Sequence, residues 1–292
     1  MATIQEDWKR DYLYRMFSHH TREKEKENYV VNAIWARLDD LNIKPVTQQY
    51  VRRTNGYALI DLYFPQINYG IECDEAYHQD NTLRDSEREI DLMSVLSSCS
   101  EDGLVIRRVD ATQSVEALHD RIREIVNEIR SLVAKQGSRL EPWLSPEERW
   151  AQFKERGSLC VEDVFSFEKI ADICEKCFGK PNGYKIQRCF FKVGDNTMLW
   201  CPKLAIKQPD GTAKAQSRGW VNELSEDWSV ITEYNEKTSG EVRYPQRPRI
   251  TFAKSKNERG ENAYRFIGIF LFSENVDGKR IYRRIATTLP LQ

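Results

Sequence analysis

The residues with the most chemical potential are crowded into one stretch, Ala58 to His78, reading ALIDLYFPQINYGIECDEAYH. Two short apolar runs flank a Pro-containing turn, and each carries acid where a buried strand disfavours it. Asp61 lies inside the first run, and Glu72 and Asp74 end the second. Strand side chains alternate, so Glu72 and Asp74 share a face and Cys73 points to the other. A hairpin symmetric about Gln66 and Ile67 sets Asp61 opposite Glu72 and brings three carboxylates to one patch of sheet. Acids at strand ends often cap a helix or pair with an arginine, and for one acid that is the better reading. Three at this spacing favour a hard divalent cation, because uncompensated buried carboxylates are costly. His78 follows four residues later, within reach of the same patch.

Carboxylates on adjacent strands suit Mg²⁺-assisted phosphodiester hydrolysis. Mg²⁺ takes oxygen ligands and keeps several waters, so two or three carboxylates suffice. The sequence has no GxxxxGK[ST] phosphate loop and no G-x-S-x-G nucleophile elbow, so neither ATP hydrolysis nor serine acyl transfer is supported.

The surrounding elements read as an α/β layer. A helix is predicted over residues 5–17, and a longer one over 21–41, with Val30, Val31, Ile34, Trp35, Leu38 and Leu41 at helical spacing. Glu27 lies one turn before that apolar stripe. VTQQYVRRT is a candidate strand before the Asn55-Gly56 turn. After the hairpin come a helical pattern in LRDSEREIDLMSVLSSC, a strand in LVIRRVD, and an amphipathic helix from Ser114 to Ala134. This predicts a first domain over residues 1–136.

Residues 137–165 read as a linker with a helix, opened by the capping box Ser145-Pro146-Glu147-Glu148 and stopped by Gly157. A further helix is predicted from Phe167 to Phe178, with Ser166 as its cap. From Tyr184 onward about seven strand-like runs follow, separated by turns such as Pro209-Asp210-Gly211. They predict a β-barrel or strongly curved sheet in a domain over 166–292.

The net charge of −1 over 292 residues hides an asymmetry. Residues 179–221 hold eight Lys/Arg against two acids, and residues 241–292 hold eleven against five, +6 in each case. A bias of this size suggests a polyanionic partner. No run approaches the length of a membrane span, and MATIQEDWKRD lacks an apolar signal core, so the expected location is cytoplasmic. Seven scattered cysteines fit free thiols. Cys174 and Cys177 resemble half a zinc site, but Cys189 and Cys201 are not a second close pair.

IDLYFP, YGIECDEAYH, RDSEREIDLMSVL and GLVIRRV together resemble the very-short-patch-repair-like branch of the PD-(D/E)XK nucleases. By that resemblance Asp61 and Glu72 bind metal, Asp74 and His78 complete the site, and Glu27 is an additional helix acid. Asp74 stands where the ExK lysine is usual. The whole chain is similar to modification-dependent (type IV) restriction endonucleases. These join such an α/β nuclease sandwich to an α+β SRA-like curved sheet or barrel. The resemblance implies a bacterial, Mg²⁺-dependent enzyme on double-stranded DNA carrying 5-hydroxymethylcytosine or its glucosylated form. It further implies flipping of the base, cutting at an offset and a homodimer, since one centre cuts one strand.

Within RGWVNELSEDWSVITEYN, Trp220 or Trp228 is the candidate stacking ring, Asn222 and Glu233 the candidate readers of the polar edge, and Tyr234 a further candidate. The alternative for each Trp is a place in the core. Lys254, Lys256 and Arg259 are candidate phosphate contacts. The competing functions are a mismatch or structure-specific repair nuclease, a non-catalytic reader of modified DNA, and a scaffold.

Overall fold

The computed structural model describes residues 8–9, 12–13, 16–17, 25–53, 56–74, 103–180, 189–207, 213–214, 219–237, 242–256 and 262–291. The chain divides into two compact units. Of the described residues, one unit comprises those up to Ser145 and the other those from Pro146 onward.

In the first unit, helix α1 (Glu25–Leu38) precedes a hairpin of β1 (Val46–Arg53) and β2 (Gly56–Phe64). Then come β3 (Tyr69–Asp74), β4 (Val105–Asp110) and helix α2 (Val115–Gln136). The sheet order is β1-β2-β3-β4, antiparallel until β3 meets β4 in parallel. Between β2 and β3, Pro65 opens a single 3-10 turn over Pro65–Ile67, and Asn68 closes it at φ 45°. The Tyr63 hydroxyl donates to Asn68 Oδ1 at 2.9 Å and braces that turn. The resulting register, Leu62↔Ile71, Tyr63↔Gly70 and Phe64↔Tyr69, is the one symmetric about Gln66 and Ile67.

Val30, Val31, Ile34 and Leu38 of α1 and Leu118, Ile122, Ile125, Val126 and Ile129 of α2 bury against Leu62, Phe64, Tyr69, Ile71, Cys73 and Val109. At about 1.5–3 kcal/mol per buried aliphatic or aromatic side chain, this layer is the main stabiliser of the unit. Ser114 caps α2 by accepting from Ala117 N–H. Glu128 of α2 accepts from Arg107 Nε at 2.9 Å and from the buried Tyr69 hydroxyl at 2.8 Å. The Arg107 hydrogen bond holds the Glu128 carboxyl below its ordinary range. Burial, then the Glu128 bond, pushes the Tyr69 phenol up. The helical pattern expected after the hairpin lies outside the described residues.

In the second unit, helix α3 (Pro146–Arg156) begins at the expected Pro and ends before Gly157, whose φ is +72°. Strand β5 (Ser158–Cys160) pairs with β16 (Thr288–Pro290). Ser166 and Phe167 form strand β6, and the next helix, α4, runs Ile170–Phe178. The expected Ser166 cap is therefore corrected. Phe167 is drawn into the sheet opposite Tyr264, and the Lys169 N–H instead finds Asp172 Oδ2 at 3.1 Å.

The remaining strands are β7 (Phe190–Lys192), β8 (Met198–Trp200), β9 (Ile206–Lys207), β10 (Ala213–Lys214), β11 (Trp220–Leu224), β12 (Val230–Asn235), β13 (Arg249–Lys256), β14 (Asn262–Val276) and β15 (Lys279–Ala286). Seven of these form the path β11-β12-β15-β14-β13-β8-β7, and β6 pairs with β14. The path is open and mixed, with β8 and β13 parallel, so a closed barrel is not what the described strands form. Register shifts in β13–β14 and β14–β15 bend the long strand.

Neighbouring residues alternate between two cores. Leu199, Cys201, Ile250, Phe252 and Phe266 face Trp150, Phe153, Ile173, Cys174 and Cys177 of the helices. Trp200, Ala253, Ile267, Phe270 and Tyr282 form the second core with Leu204, Leu224 and Ile231. Burial raises the Cys174 and Cys177 thiols to about 11 and about 12, as suits inert core cysteines. Among the described residues no helix is long and apolar enough to cross a membrane.

Candidate functional site

The β1–β2 ladder is continuous except at one position, where Gln48 faces Asp61 between the pairs Thr47↔Leu62 and Gln49↔Ile60. Gln48 adopts φ +54°, a left-handed conformation costing about 1–2 kcal/mol for a residue with a Cβ. Alternation breaks there in both strands. Val46 and Val51 are five residues apart, Ile60 and Tyr63 three, yet all four share one cluster. A Cβ on Gly70, which pairs with Tyr63, would stand 3.0 Å from Ile60. The side chains at the break are turned to each other. Gln48 Nε2 donates to Asp61 Oδ1 at 3.0 Å and to Glu27 Oε1 at 2.7 Å. Glu27 is buried in the first turn of α1, at 6% exposure, where the helix N-terminus favours an acid.

Asp61 Oδ2 accepts from Cys73 N–H at 2.7 Å. The β2–β3 ladder ends at Leu62↔Ile71, and this side-chain bond takes up the backbone donor just beyond. Glu72 and Asp74 share a face, as alternation requires, while Cys73 joins the helix-side core. Both acids face Arg108 of β4, at 3.1 Å and 3.6 Å. The expected convergence of three carboxylates is not what forms. Among the described residues, no three acids or other ligand side chains stand close enough to hold a metal together. The physical reason is the break at Asp61, which turns that side chain toward Gln48 and the Cys73 amide. Asp74 is half-exposed and turned to arginine, and Glu27 is the acid that joins Asp61. His78 lies outside the described residues.

In the second unit, Asn222 of β11 and Glu233 of β12 are directly opposite each other and both buried, at 7% and 8% exposure. Glu233 Oε2 accepts from Arg280 at 3.1 Å and from the Tyr282 hydroxyl at 3.0 Å, with Arg249 at 4.0 Å. All of these fall on one oxygen. Among the described residues Oε1 takes no bond. Asn222 Nδ2 donates to Lys203 O at 3.1 Å, which turns its Oδ1 the other way, and that buried Oδ1 has no partner among the described residues. Arg249 is packed on the rings of Phe190, Trp200 and Tyr282 at 4.6, 4.9 and 4.0 Å. Burial lowers its pKa, and burial raises that of Tyr282, with Glu233 adding to the rise.

Trp220 shares the Asn222 face, with the Arg280 guanidinium 5.1 Å from its ring. Tyr234 pairs with Val221, so alternation sends it to the opposite face from Glu233, where Lys279 covers its ring. Trp228 sits in the β11–β12 turn at φ +58° and packs on the core, which is the structural alternative weighed for it. Lys254 is half-buried on β13. Only the backbone of Lys256 is described, and Arg259 lies outside the described residues.

Residues 10–145 match the family model described as restriction endonuclease PvuRts1 I-like, N-terminal. Residues 152–291 match that of the SET and RING associated domain, SRA. The chain joins a PvuRts1I-like restriction-endonuclease domain to an SRA domain. It is similar throughout to a solved structure described as the 5-hydroxymethylcytosine-specific restriction enzyme AbaSI, at 27% identity, TM-score 0.68 and 98% coverage of each chain. Comparison with curated proteins finds no match.

Restriction nucleases of this kind generally use a divalent cation, and the donor set fits one. Asp61 and Glu72 offer hard oxygen, Mg²⁺ needs only one or two carboxylates beside its waters, and the soft donor between Glu72 and Asp74, Cys73, is in the core. Gln48 and the Cys73 N–H hold one oxygen of Asp61 each. The Glu72–Arg108 pair involves an arginine side chain 65% exposed, so it is worth about 0–1 kcal/mol and does not lock Glu72 away. Sequence reasoning missed Gln48, Arg108, Arg249, Arg280 and Tyr282. The signal available for Arg280 and Tyr282 was register, since both pair with β12 in the ladder that holds Glu233.

Proposed function

We propose that this PvuRts1I-like enzyme is a Mg²⁺-dependent endonuclease that flips a modified cytosine, 5-hydroxymethylcytosine or its glucosylated form, out of duplex DNA and cuts the backbone at an offset. The observation that carries the reading is the acceptor pair, Asn222 Oδ1 and Glu233 Oε1, on adjacent strands. The cytosine exocyclic amine presents two N–H donors, whereas thymine presents an acceptor at that edge. A 5-hydroxymethyl group adds a donor hydroxyl next to the amine. Two open acceptors therefore suit hydroxymethylcytosine, the base named for the similar enzyme AbaSI. Trp220 provides the stacking surface, which offsets the few kcal/mol lost on unstacking. Lys254, Lys256 and Arg259 neutralise phosphates.

In the cutting domain, residues 1–136, Asp61 and Glu72 hold the cation. Glu27 is held beside Asp61, and Asp74 and His78 act at the periphery on water or phosphate charge. When bound, a divalent cation supplies Lewis-acid charge to the scissile phosphate and a water of lowered pKa. Residues 137–165 link this domain to the reading domain, 166–292. One centre cuts one strand, so a double-strand break takes two copies related by a two-fold axis.

The test is digestion of matched unmodified, methylated, hydroxymethylated and glucosylated duplexes with Mg²⁺. The expected result is cleavage confined to the hydroxymethylated and glucosylated forms, at a constant distance from the base. Equal cleavage of all four overturns the reader and leaves a mismatch or structure-specific nuclease. Cleavage of none leaves a non-catalytic reader.

A further inference from the structure

We propose that Gln48 is a positioning residue of the cleavage centre, its single amide holding the Glu27 and Asp61 carboxylates in fixed orientation. The inference rests on the reading of Asp61 as a cleavage residue. Three features meet at Gln48. It is the one gap in the β1–β2 ladder, its backbone is left-handed, and its Nε2 gives one hydrogen to an acid on α1 and the other to an acid on β2.

A strand kink by itself calls for glycine, which takes positive φ without strain. A long amide side chain in that conformation is explained by what the amide does. It is neutral, so it bridges two acids without adding the charge that a lysine or arginine would set against a divalent cation. Its NH₂ has two hydrogens, one for each carboxylate. The Cys73 N–H fixes the second oxygen of Asp61, and the two bonds together leave that carboxylate one orientation. Supporting residues of this kind typically change metal affinity about 10–100-fold when removed.

Gln48→Gly separates the two roles, because it keeps the kink and deletes the amide. The full-length protein is expected to stay folded, the relief of the left-handed backbone offsetting part of the two lost hydrogen bonds. Its affinity for Mn²⁺ without DNA, read by electron paramagnetic resonance, falls about tenfold or more. Cleavage of hydroxymethylated DNA falls about a hundredfold. Gln48→Met, which keeps bulk and lacks donors, shows the same two losses and serves if the glycine variant does not fold. Mn²⁺ affinity and cleavage within about twofold of wild type in either folded variant overturn the proposal. Asp61→Asn is measured alongside. If it cleaves like wild type, the cleavage-centre reading itself fails; if it is inactive while Gln48→Gly is not, only the role of Gln48 fails.

Discussion

Glu72 and Asp74 in the PvuRts1I-like domain and Glu233 in the SRA domain are all strand acids paired with arginine, and their surroundings differ sharply. Arg108 is 65% exposed, and its two acids are 16% and 53% exposed. The side chains of Glu233, Arg249 and Arg280 are 10%, 5% and 12% exposed, with the Tyr282 hydroxyl as a further donor. The first set can exchange its counter-charge at small cost, because exposed pairs are screened and weak. The second cannot, because a buried charge left without its partner is heavily penalised. A centre that takes up a cation and a phosphate needs the first kind of acid. A pocket that reads a neutral base needs the second, with one oxygen pinned and the other presented.

The largest effect that would break this contrast is at Glu233. Glu233→Gln removes the acid that faces the buried Arg249 and the Arg280 guanidinium, and breaking a buried charge pair costs about 3–5 kcal/mol. Denaturant unfolding should show a loss of that order, and hydroxymethylated DNA should lose its binding advantage over unmodified DNA. A wild-type unfolding midpoint would mean that the pinned acid is not held as described.

Next comes Tyr282→Phe, which removes one hydroxyl from Glu233 Oε2 and opens no cavity. A hydrogen bond to a charged group is worth about 1.5–3 kcal/mol. The variant should lose about that much stability and part of its preference for modified DNA. The rate of cutting at saturating DNA should be unchanged, because the hydroxyl's partner is Glu233 of the proposed reading pocket. An equal fall in rate at saturation would join the two sites and remove the contrast.

These expectations mark how far the sequence could be read. Helices α1, α2 and α3, the hairpin about Gln66 and Ile67 and the strand-like runs of the second unit were legible because apolar period and turn residues encode them locally. Glu72 and Asp74 shared a face for the same reason. Asp61 departed from the pattern because alternation fails at Gln48, and no local signal announces a left-handed glutamine in VTQQYV. The Arg–Glu–Tyr network was out of reach for a different reason. Glu233 and Arg280 are 47 residues apart, and only the β12–β15 register brings them together. Trp228 and Tyr234 were reasonable as ring types, but the face each takes depends on where β12 begins.

The smallest effect concerns Arg108, and its sign is the informative part. Arg108 is the counter-charge of Glu72 at 3.1 Å, and its exposure limits the pair to about 0–1 kcal/mol. Arg108→Met should therefore leave stability nearly unchanged. A guanidinium on Glu72 competes with a cation for the same oxygens, so its removal should lower the Mg²⁺ concentration for half-maximal cleavage. The shift should be at most about fivefold, the factor that 1 kcal/mol allows. This is the opposite direction from the loss expected at Gln48, which contacts Glu27 and Asp61 where Arg108 contacts Glu72 and Asp74. A rise in the Mg²⁺ requirement would make Arg108 a support of the centre, and the loose, exchangeable partner that distinguishes the first site from the second would have to be given up.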